Sequence, residues 1–191
     1  MKLKREFYLR EDVVLIAKEL LGKVLFTNIS GTITAGIITE TEAYAGITDR
    51  ASHAYNSRRT ARTEVMYAVG GTSYVYLCYG IHHLFNVVTN KKDIPHAVLI
   101  RAIKPYNGID IIFKRRNKRI LHYKICNGPG IVSQGLGIKI FHTNIDLLGK
   151  TIWIEDRGIK IMKNNIIKNP RIGVDYAGAD ALLPYRFTAK I

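Results

Sequence analysis

The stretch Thr-Ile-Thr-Ala-Gly-Ile-Ile-Thr-Glu-Thr-Glu-Ala-Tyr at residues 32–44 decides how the chain folds. It is rich in β-branched residues, which favour extended backbone. The segment Lys23–Ile29 has a similar composition, and the dipeptide Ser30-Gly31 separates the two segments. A small polar residue followed by glycine between two such runs is typical of a tight turn. The sequence therefore predicts a long β-hairpin over residues 23–44.

Further elements extend this hairpin into a sheet with helices around it. Apolar residues at helical spacing predict a helix from Asp12 to Leu21, capped by Asp12 and ended by Gly22. Further strands are predicted at Ser73–Tyr79, Leu84–Thr89, Ala97–Lys104, Thr151–Glu155 and Arg171–Val174, and further helices from Gly108 to about Lys118 and at Pro129–Gly137 behind an Asn127 cap. No internal repeat or linker is visible. We expect one compact α+β domain over residues 1–191, with a curved, mainly antiparallel sheet, peripheral helices and a projecting β-hairpin.

The charge of the chain restricts its partners. Its 191 residues include 29 lysines and arginines against 15 aspartates and glutamates, which gives a formal net charge of +14. Because 47% of the residues are hydrophobic, this charge belongs to a folded body, and a folded polycation usually binds a polyanion such as nucleic acid. A basic run with Asp110 as its single acid predicts phosphate contact, the alternative being a solvated helix face. The run consists of Arg101, Lys104, Lys114, Arg115, Arg116, Lys118, Arg119 and Lys124.

Cysteine usage and hydropathy exclude several classes of protein. Cys78 and Cys126 cannot build a disulfide framework, which is typical of an intracellular protein with free thiols. No apolar segment follows the basic amino terminus, and no apolar run reaches the roughly 20 residues of a membrane span, so neither a signal peptide nor membrane insertion is predicted. The histidines lack zinc-ligand spacing. We expect a cytoplasmic protein that needs no metal and no cofactor.

Two glutamates and a tyrosine share one face of the predicted strand. Because side chains alternate along a strand, Glu40, Glu42 and Tyr44 point to the same side. Like charges at this spacing raise each other's pKa, so a partly desolvated member of the pair could act as a general base. The alternative is a solvated edge strand without chemistry.

A second aromatic cluster lies in the segment Tyr74-Val75-Tyr76-Leu77-Cys78-Tyr79-Gly80. Tyr74 and Tyr76 share a face of the predicted strand, and Tyr79 precedes a glycine that permits a sharp turn. Tyr79 is therefore predicted at a hairpin tip. For Tyr74 and Tyr76 the alternative role is packing within the sheet.

Short blocks spread over nearly the whole chain carry a family resemblance. They are Glu40-Thr41-Glu42-Ala43-Tyr44, His53, Gly71-Thr72-Ser73-Tyr74-Val75-Tyr76, Tyr79-Gly80, Phe85-Asn86-Val87, Leu99-Ile100-Arg101-Ala102, Asn127-Gly128-Pro129-Gly130, Pro170-Arg171-Ile172-Gly173-Val174 and Arg186-Phe187. In their order and their approximate spacing, these blocks resemble the alkyladenine (3-methyladenine) DNA glycosylase family. Several blocks in register are more specific than any single motif.

The resemblance implies roles for individual residues. It implies that Glu42 is the general base that activates the attacking water and that Arg101 helps to hold that water. It implies an aromatic cage for an extruded base, a wedge that fills the gap left in the duplex, and a screen against the 2-amino group of guanine. The cage is Tyr44, His53 and Tyr76, the wedge is Tyr79 and the screen is Asn86. Ile81 is expected to shape the pocket, and Arg58 and Arg62 are expected to contact DNA.

The implied activity is that of a monofunctional DNA glycosylase. Such an enzyme flips alkylated purines such as 3-methyladenine, and deaminated purines as a further class, out of double-stranded DNA and hydrolyses the glycosidic bond. We expect it to act as a monomer. The alternative from another class is a non-catalytic module that binds structured RNA or DNA, with the tyrosines stacking on exposed bases. A hydrolase of free nucleosides fits the net charge poorly.

This chain departs from the family pattern at three places. Gly130 stands where many relatives have serine, and Ile81 stands where methionine is frequent. The pair His82-His83 is unusual beside the presumed DNA surface. We interpret these two histidines as groove-facing or packing residues.

Overall fold

The computed structural model describes residues 1–117 and 126–190, and the described residues form one α+β unit around a single curled sheet. The strands are β1 (Val24–Ile29), β2 (Thr32–Tyr44), β3 (Ser73–Cys78), β4 (His82–Thr89), β5 (His96–Asn107), β6 (Ile152–Glu155), β7 (Ile166–Asn169) and β8 (Arg186–Ala189). The helices are α1 (Arg5–Tyr8), α2 (Val13–Glu19), α3 (Ile109–Arg115) and α4 (Pro129–Leu136). The α+β prediction is confirmed.

The long strand β2 is the spine of the sheet. All pairings are antiparallel, in the order β3-β4-β5-β2-β1-β6. One edge of β2 pairs with β1 up to Ile37 and then with β8 from Glu40 to Glu42, while β5 follows its other edge. Register shifts around Glu40 interrupt the pairing with β5, and such bulges bend a strand. The bend helps to curl the sheet into a half-barrel.

Helix α2 covers the sheet as the sequence predicts. The side chain of Asp12 accepts a hydrogen bond of 2.8 Å from the Leu15 amide, and Gly22 ends the segment with a φ of 80°. The helix buries Ile16 and Ala17 against the main core. The hydroxyl of Thr41 on β2 donates to the Ala17 carbonyl at 2.8 Å, which ties helix to sheet.

Both predicted hairpins are confirmed. Strands β1 and β2 meet at Ser30-Gly31, and β3 and β4 meet at a three-residue loop after Cys78. Tyr79 lies at the tip of the second hairpin, where its side chain is 90% exposed. The predicted strand at Thr151–Glu155 corresponds to β6.

Two local predictions are wrong. Arg171–Val174 is a loop, because the Arg171 side chain turns inward to a buried aspartate and Gly173 has a φ of 75°. Asn127 does not cap α4. Gly128 is the capping position, without a side-chain hydrogen bond, and Pro129 begins the helix.

The basic run is only partly open to solvent. Arg115 donates to Gly135 and Thr34, and Arg116 is hydrogen-bonded to Gln134, so these two arginines bind α4 and β2. A plain solvated helix face does not describe them. Lys118, Arg119 and Lys124, and the predicted end of the helix at Lys118, lie outside the described residues.

Candidate active-site cleft

A cleft of about 480 Å³ opens where the upper part of β2 meets β3, β4 and β5 and the loop at Ile172. Among the residues that sequence analysis selects, its lining includes Tyr44, His53, Arg62, Tyr76, Tyr79, Asn86 and Arg101. The sheet thus gathers side chains from residues 44 to 101 in one depression. Clefts of this kind are the default location of ligand sites.

The carboxylate of Glu42 lies buried beside this cleft, with a side chain that is 0% exposed. Its Oε1 accepts a hydrogen bond of 2.9 Å from the Ile172 amide and lies 3.3 Å from Nη1 of Arg101. Its Oε2 accepts a hydrogen bond of 2.8 Å from the Tyr44 hydroxyl. Both oxygens are therefore oriented by donors on three different segments.

Burial raises the pKa of Glu42, and this is the largest influence on it. Arg101, the Ile172 amide and the Tyr44 hydroxyl lower the pKa because they stabilise the charged form. Repulsion from Glu40 is the smallest contribution. The sequence-based expectation of a raised pKa has the right direction, but burial is its main cause.

Glu40 has a different role from Glu42. Its Oε1 lies 3.2 Å from Nε of Arg101 and 3.0 Å from Nη1 of Arg186, so two arginines neutralise it. Arg101 spans both carboxylates from the adjacent strand. The edge-strand alternative is wrong, because β2 is paired on both sides at these residues.

An aromatic cluster forms one wall of the cleft. The rings of His53 and Tyr76 are 4.7 Å apart at 75°, and those of Tyr74 and Tyr76 are 5.4 Å apart. Nδ1 of His53 is 2.8 Å from the Tyr74 hydroxyl. The guanidinium of Arg62 lies 5.1 Å from the Tyr76 ring centroid. Tyr74 orients His53. The sequence places Tyr74 in the aromatic cluster but does not mark it as a site residue.

His53 is neutral at physiological pH. Burial, and then the charges of Arg62 and Arg58, lower the pKa of His53 to about 4. A neutral imidazole adds no positive charge beside the tyrosine rings. Burial raises the pKa of Tyr44 and of Tyr76, which keeps both phenols protonated.

Asn86 and Tyr79 both line the cleft, but Asn86 is buried whereas Tyr79 is exposed. Asn86 is 3% exposed, and its Nδ2 donates to the carbonyls of Tyr74 at 3.1 Å and Leu84 at 3.3 Å. These bonds fix the amide in the wall. Tyr79 projects from the tip with a left-handed φ of 51°, followed by Gly80 at 72°.

Three selected residues are absent from the cleft lining: Glu42, which is buried beside it, Ile81 and Arg58. Ile81 is 71% exposed and lines a separate groove with His82, His83 and Gly130. A Cβ placed on Gly130 would lie 3.0 Å from ring atoms of His82, so the glycine leaves room for that imidazole. Arg58 is exposed on the loop near Arg62 and influences His53 through its charge.

Three further residues contribute to the site, although no sequence pattern assigns them a role. Ile172 and Arg186 contact the carboxylates, and Arg171 lies beneath Tyr44 with its guanidinium 4.9 Å from the ring centroid. The only signal for them is their presence in the blocks at 170–174 and 186–187.

In the described part of the chain no helix is long and apolar enough to cross a bilayer. Residues 1–117 and 126–190 also contain no group of three His, Cys, Asp or Glu side chains that could hold a metal ion.

Comparison with known proteins relates this cleft to a family. The family model described as "Methylpurine-DNA glycosylase (MPG)" matches residues 6–191. A protein of Chlamydia abortus is 48% identical over 190 residues, which cover 99% of this chain and 98% of that protein. A protein of Clostridium acetobutylicum is 41% identical over 197 residues, covering 100% of this chain and 95% of that protein. Both carry the name "Putative 3-methyladenine DNA glycosylase".

Proposed function

The chain belongs to the methylpurine-DNA glycosylase family and is a DNA glycosylase, and from this premise we propose that it hydrolyses the glycosidic bond of alkylated purines such as 3-methyladenine in double-stranded DNA. The observation that carries the proposal is the buried Glu42 carboxylate, held by Arg101 and the Ile172 amide next to an aromatic cleft. A DNA substrate implies action in the cytoplasm, at the nucleoid if the cell is bacterial. We propose that one chain suffices.

The target nucleotide must first leave the base stack, because its glycosidic bond cannot be reached inside the duplex. Tyr79 is 90% exposed on a narrow tip, so its ring can enter the minor groove and fill the gap. This contact offsets an unstacking cost of a few kcal/mol. Phosphate contacts of the basic surface, including Arg58 and Arg62, add affinity without sequence preference.

The extruded base then stacks between Tyr44, His53 and Tyr76. Purines alkylated at N3 or N7 are cationic, and each aromatic face attracts a cation by about 0.5–2 kcal/mol. The attraction requires a neutral imidazole, which the pKa of His53 near 4 supports. Asn86 limits the space available to the 2-amino group of normal guanine.

Hydrolysis follows from the same geometry. As the bond between the base nitrogen and C1′ breaks, its electron pair leaves with the purine, and the sugar becomes oxocarbenium-like. Glu42 stabilises that charge and takes a proton from the attacking water, whose oxygen forms the new bond to C1′. The product is an abasic site. No lysine lines the cleft among the described residues, which supports hydrolysis without strand cleavage.

Replacement of Glu42 by glutamine tests this function. We expect Glu42→Gln to lower single-turnover release of 3-methyladenine from a methylated duplex at least about 100-fold, the usual contribution of a general base. Binding to a duplex with an abasic-site analogue should change only a few-fold. The exposed Glu6 is the matched control, and Glu6→Gln should leave both measurements unchanged. Equal release by wild type and Glu42→Gln, with the freed base identified by chromatography, would show that Glu42 is not the general base. Release by neither protein would instead indicate a binding module.

A further inference from the structure

A buried ion pair lies behind the cage. The side chains of Arg171 and Asp49 are 0% and 2% exposed, and Nη2 of Arg171 donates to Oδ1 of Asp49 at 2.8 Å. The other arm of the guanidinium bonds Oδ2. Arg171 also donates to the Ala43 carbonyl at 2.9 Å and to the Asp180 carbonyl at 3.0 Å. One guanidinium thus joins four separate segments of the chain.

This pair adjoins two residues of the proposed chemistry. The guanidinium lies 4.9 Å from the ring centroid of Tyr44. The residue that follows Arg171 is Ile172, whose amide donates to Glu42. The carbonyl that Arg171 binds belongs to Ala43, which stands between Glu42 and Tyr44 on β2. Arg171 therefore fixes the strand and the loop from which the general base and one wall of the cage are held.

The contacts of Arg171 indicate that its guanidinium is placed to stack on aromatic rings and does not serve stability alone. Among the described residues its Nε has no hydrogen-bond partner, although it is buried, while the guanidinium lies between the rings of Tyr44 and Tyr185. Buried ion pairs contribute little net stability, because desolvation offsets the attraction. A pair kept in this place is better explained by the geometry that it imposes.

We propose that Arg171, held by Asp49, is a positioning residue for base excision: it keeps the Ile172 amide on Glu42 and the Tyr44 ring in the cage. The inference rests on the proposed function of Glu42 and Tyr44 and extends it to residues that do not touch the substrate. Lysine at this position keeps the charge but loses the two-armed contact and the planar stacking. The Ile172 amide then loses its fixed position.

The chain offers a matched control. Arg5 also pairs with a carboxylate, although through one nitrogen: its Nη2 lies 2.8 Å from both oxygens of Asp146, and its Nη1 donates to the Gly70 carbonyl. Neither Arg5 nor Asp146 lines the cleft. Arg5→Lys therefore repeats the chemical change of Arg171→Lys without touching Glu42 or Tyr44.

The first measurement is the ionisation of Glu42 itself. Protein with carbon-13-labelled glutamate carboxyls is titrated by NMR, and Glu42→Gln identifies the signal. The groups that face Glu42 are Glu40 and Tyr44 on β2, Tyr76 on β3, Arg101 on β5, Arg171 in its loop and, through Glu40, Arg186 on β8. Because Arg171→Lys keeps every charge and weakens the hydrogen bonds that hold the charged form of Glu42, above all the Ile172 bond, the midpoint should rise by about one pH unit. Arg5→Lys should not shift it.

The second measurement is single-turnover release of 3-methyladenine. We expect a loss of about tenfold or more for Arg171→Lys, the kinetic effect of slight misplacement, with a change of less than about threefold for Arg5→Lys. Asp49→Glu, which keeps both charges of the pair but displaces the carboxylate, should shift both readouts in the same direction and serves if Arg171→Lys does not fold. Thermal melts establish that each variant is folded at the assay temperature.

The outcomes separate the two proposals. If wild type releases no base, the proposed function fails, while the Glu42 titration still decides whether Arg171 positions that carboxyl. If the midpoint of Glu42 is the same in Arg171→Lys, Arg5→Lys and wild type, Arg171 is only a structural residue and the inference is overturned.

Discussion

The hydroxyl of Tyr44 donates a 2.8 Å hydrogen bond to Oε2 of Glu42, two positions earlier on the same strand. The bond links a wall of the cage to the proposed general base, so the ring proposed to stack on the substrate also orients the carboxylate. It also stabilises the charged form of Glu42 and thereby lowers a pKa that burial raises. The proposed recognition of the base and the proposed chemistry would therefore be coupled through a single side chain.

The Tyr44→Phe substitution tests this coupling. It keeps the ring and removes the donor, so the pKa of Glu42 should rise further, by about one unit. Because the general base must be deprotonated, the acidic limb of the single-turnover pH profile should move to higher pH. At pH values on that limb we expect about a tenfold loss in rate.

Tyr8 supplies the control for this change. Its hydroxyl is buried and has no hydrogen-bond partner among the described residues. Tyr8→Phe removes the same atom and should leave the pH profile unchanged. An unshifted acidic limb in Tyr44→Phe would mean that the hydrogen bond does not control the ionisation of Glu42.

The exposure of Tyr79 predicts that its removal affects excision from double-stranded DNA more than excision from single-stranded DNA. In Tyr79→Ala we expect excision from duplex DNA to fall by about tenfold or more, because only a duplex presents a gap to be filled. Release from a single-stranded substrate should change by less than about threefold. Tyr106→Ala, at another exposed tyrosine outside the cleft, should affect neither substrate. Equal losses on both substrates would assign Tyr79 a packing role.

The neutral His53 predicts a loss of stability in mild acid. The unfolded chain takes up the proton near the ordinary pKa of 6.5, whereas the folded chain does so only near 4. Between these pH values the unfolded state binds more protons, so stability falls as the pH falls, by at most about 3 kcal/mol from this residue. Above pH 6.5 the effect is absent.

Denaturant unfolding between pH 4 and 7 measures this effect. His53→Gln should show a shallower decline than wild type. His96 and His142, whose pKa values burial also lowers, retain their share of the slope in both proteins. Identical slopes for the two proteins would contradict a neutral, buried His53.

The close contact between Gly130 and His82 predicts that the effect of Gly130→Ala on stability reverses its sign when the His82 side chain is removed. A Cβ at residue 130 would lie 3.0 Å from the imidazole, so Gly130→Ala should lower the free energy of unfolding by about 1 kcal/mol. Once His82→Gly has removed the ring and the Cβ of His82, which also lies 3.0 Å away, the same change should raise stability by about 0.5 kcal/mol, since alanine is the better helix former. The four proteins form a double-mutant cycle read by thermal melting.

Local chemistry explains what the sequence predicts well. The hairpin at Ser30-Gly31, the cap at Asp12 and the tip at Tyr79 depend on neighbouring residues, so alternation and turn composition suffice to locate them. The face shared by Glu40 and Glu42 follows from the same alternation.

Long-range contacts explain what the sequence does not predict. The amide that orients Glu42 comes from Ile172, 130 positions away, and the partner of Arg171 is Asp49, 122 positions away. The apolar residues Ile172 and Val174 follow the alternation that is typical of a strand, but the inward turn of Arg171 makes this segment a loop. The main cause of the raised pKa of Glu42, its burial, likewise exists only after the sheet has formed.

The left-handed backbone of Tyr79 places the stability of the fold in conflict with the proposed role of this residue in DNA repair. A non-glycine residue at a φ of 51° carries strain of about 1 kcal/mol, and a large ring held in water gains nothing from burial. Glycine or asparagine would suit this position better and would stabilise the fold. Selection for thermal stability alone should therefore replace Tyr79, the proposed wedge, at an early stage, and the variants with the highest melting temperatures should be the least active on duplex DNA.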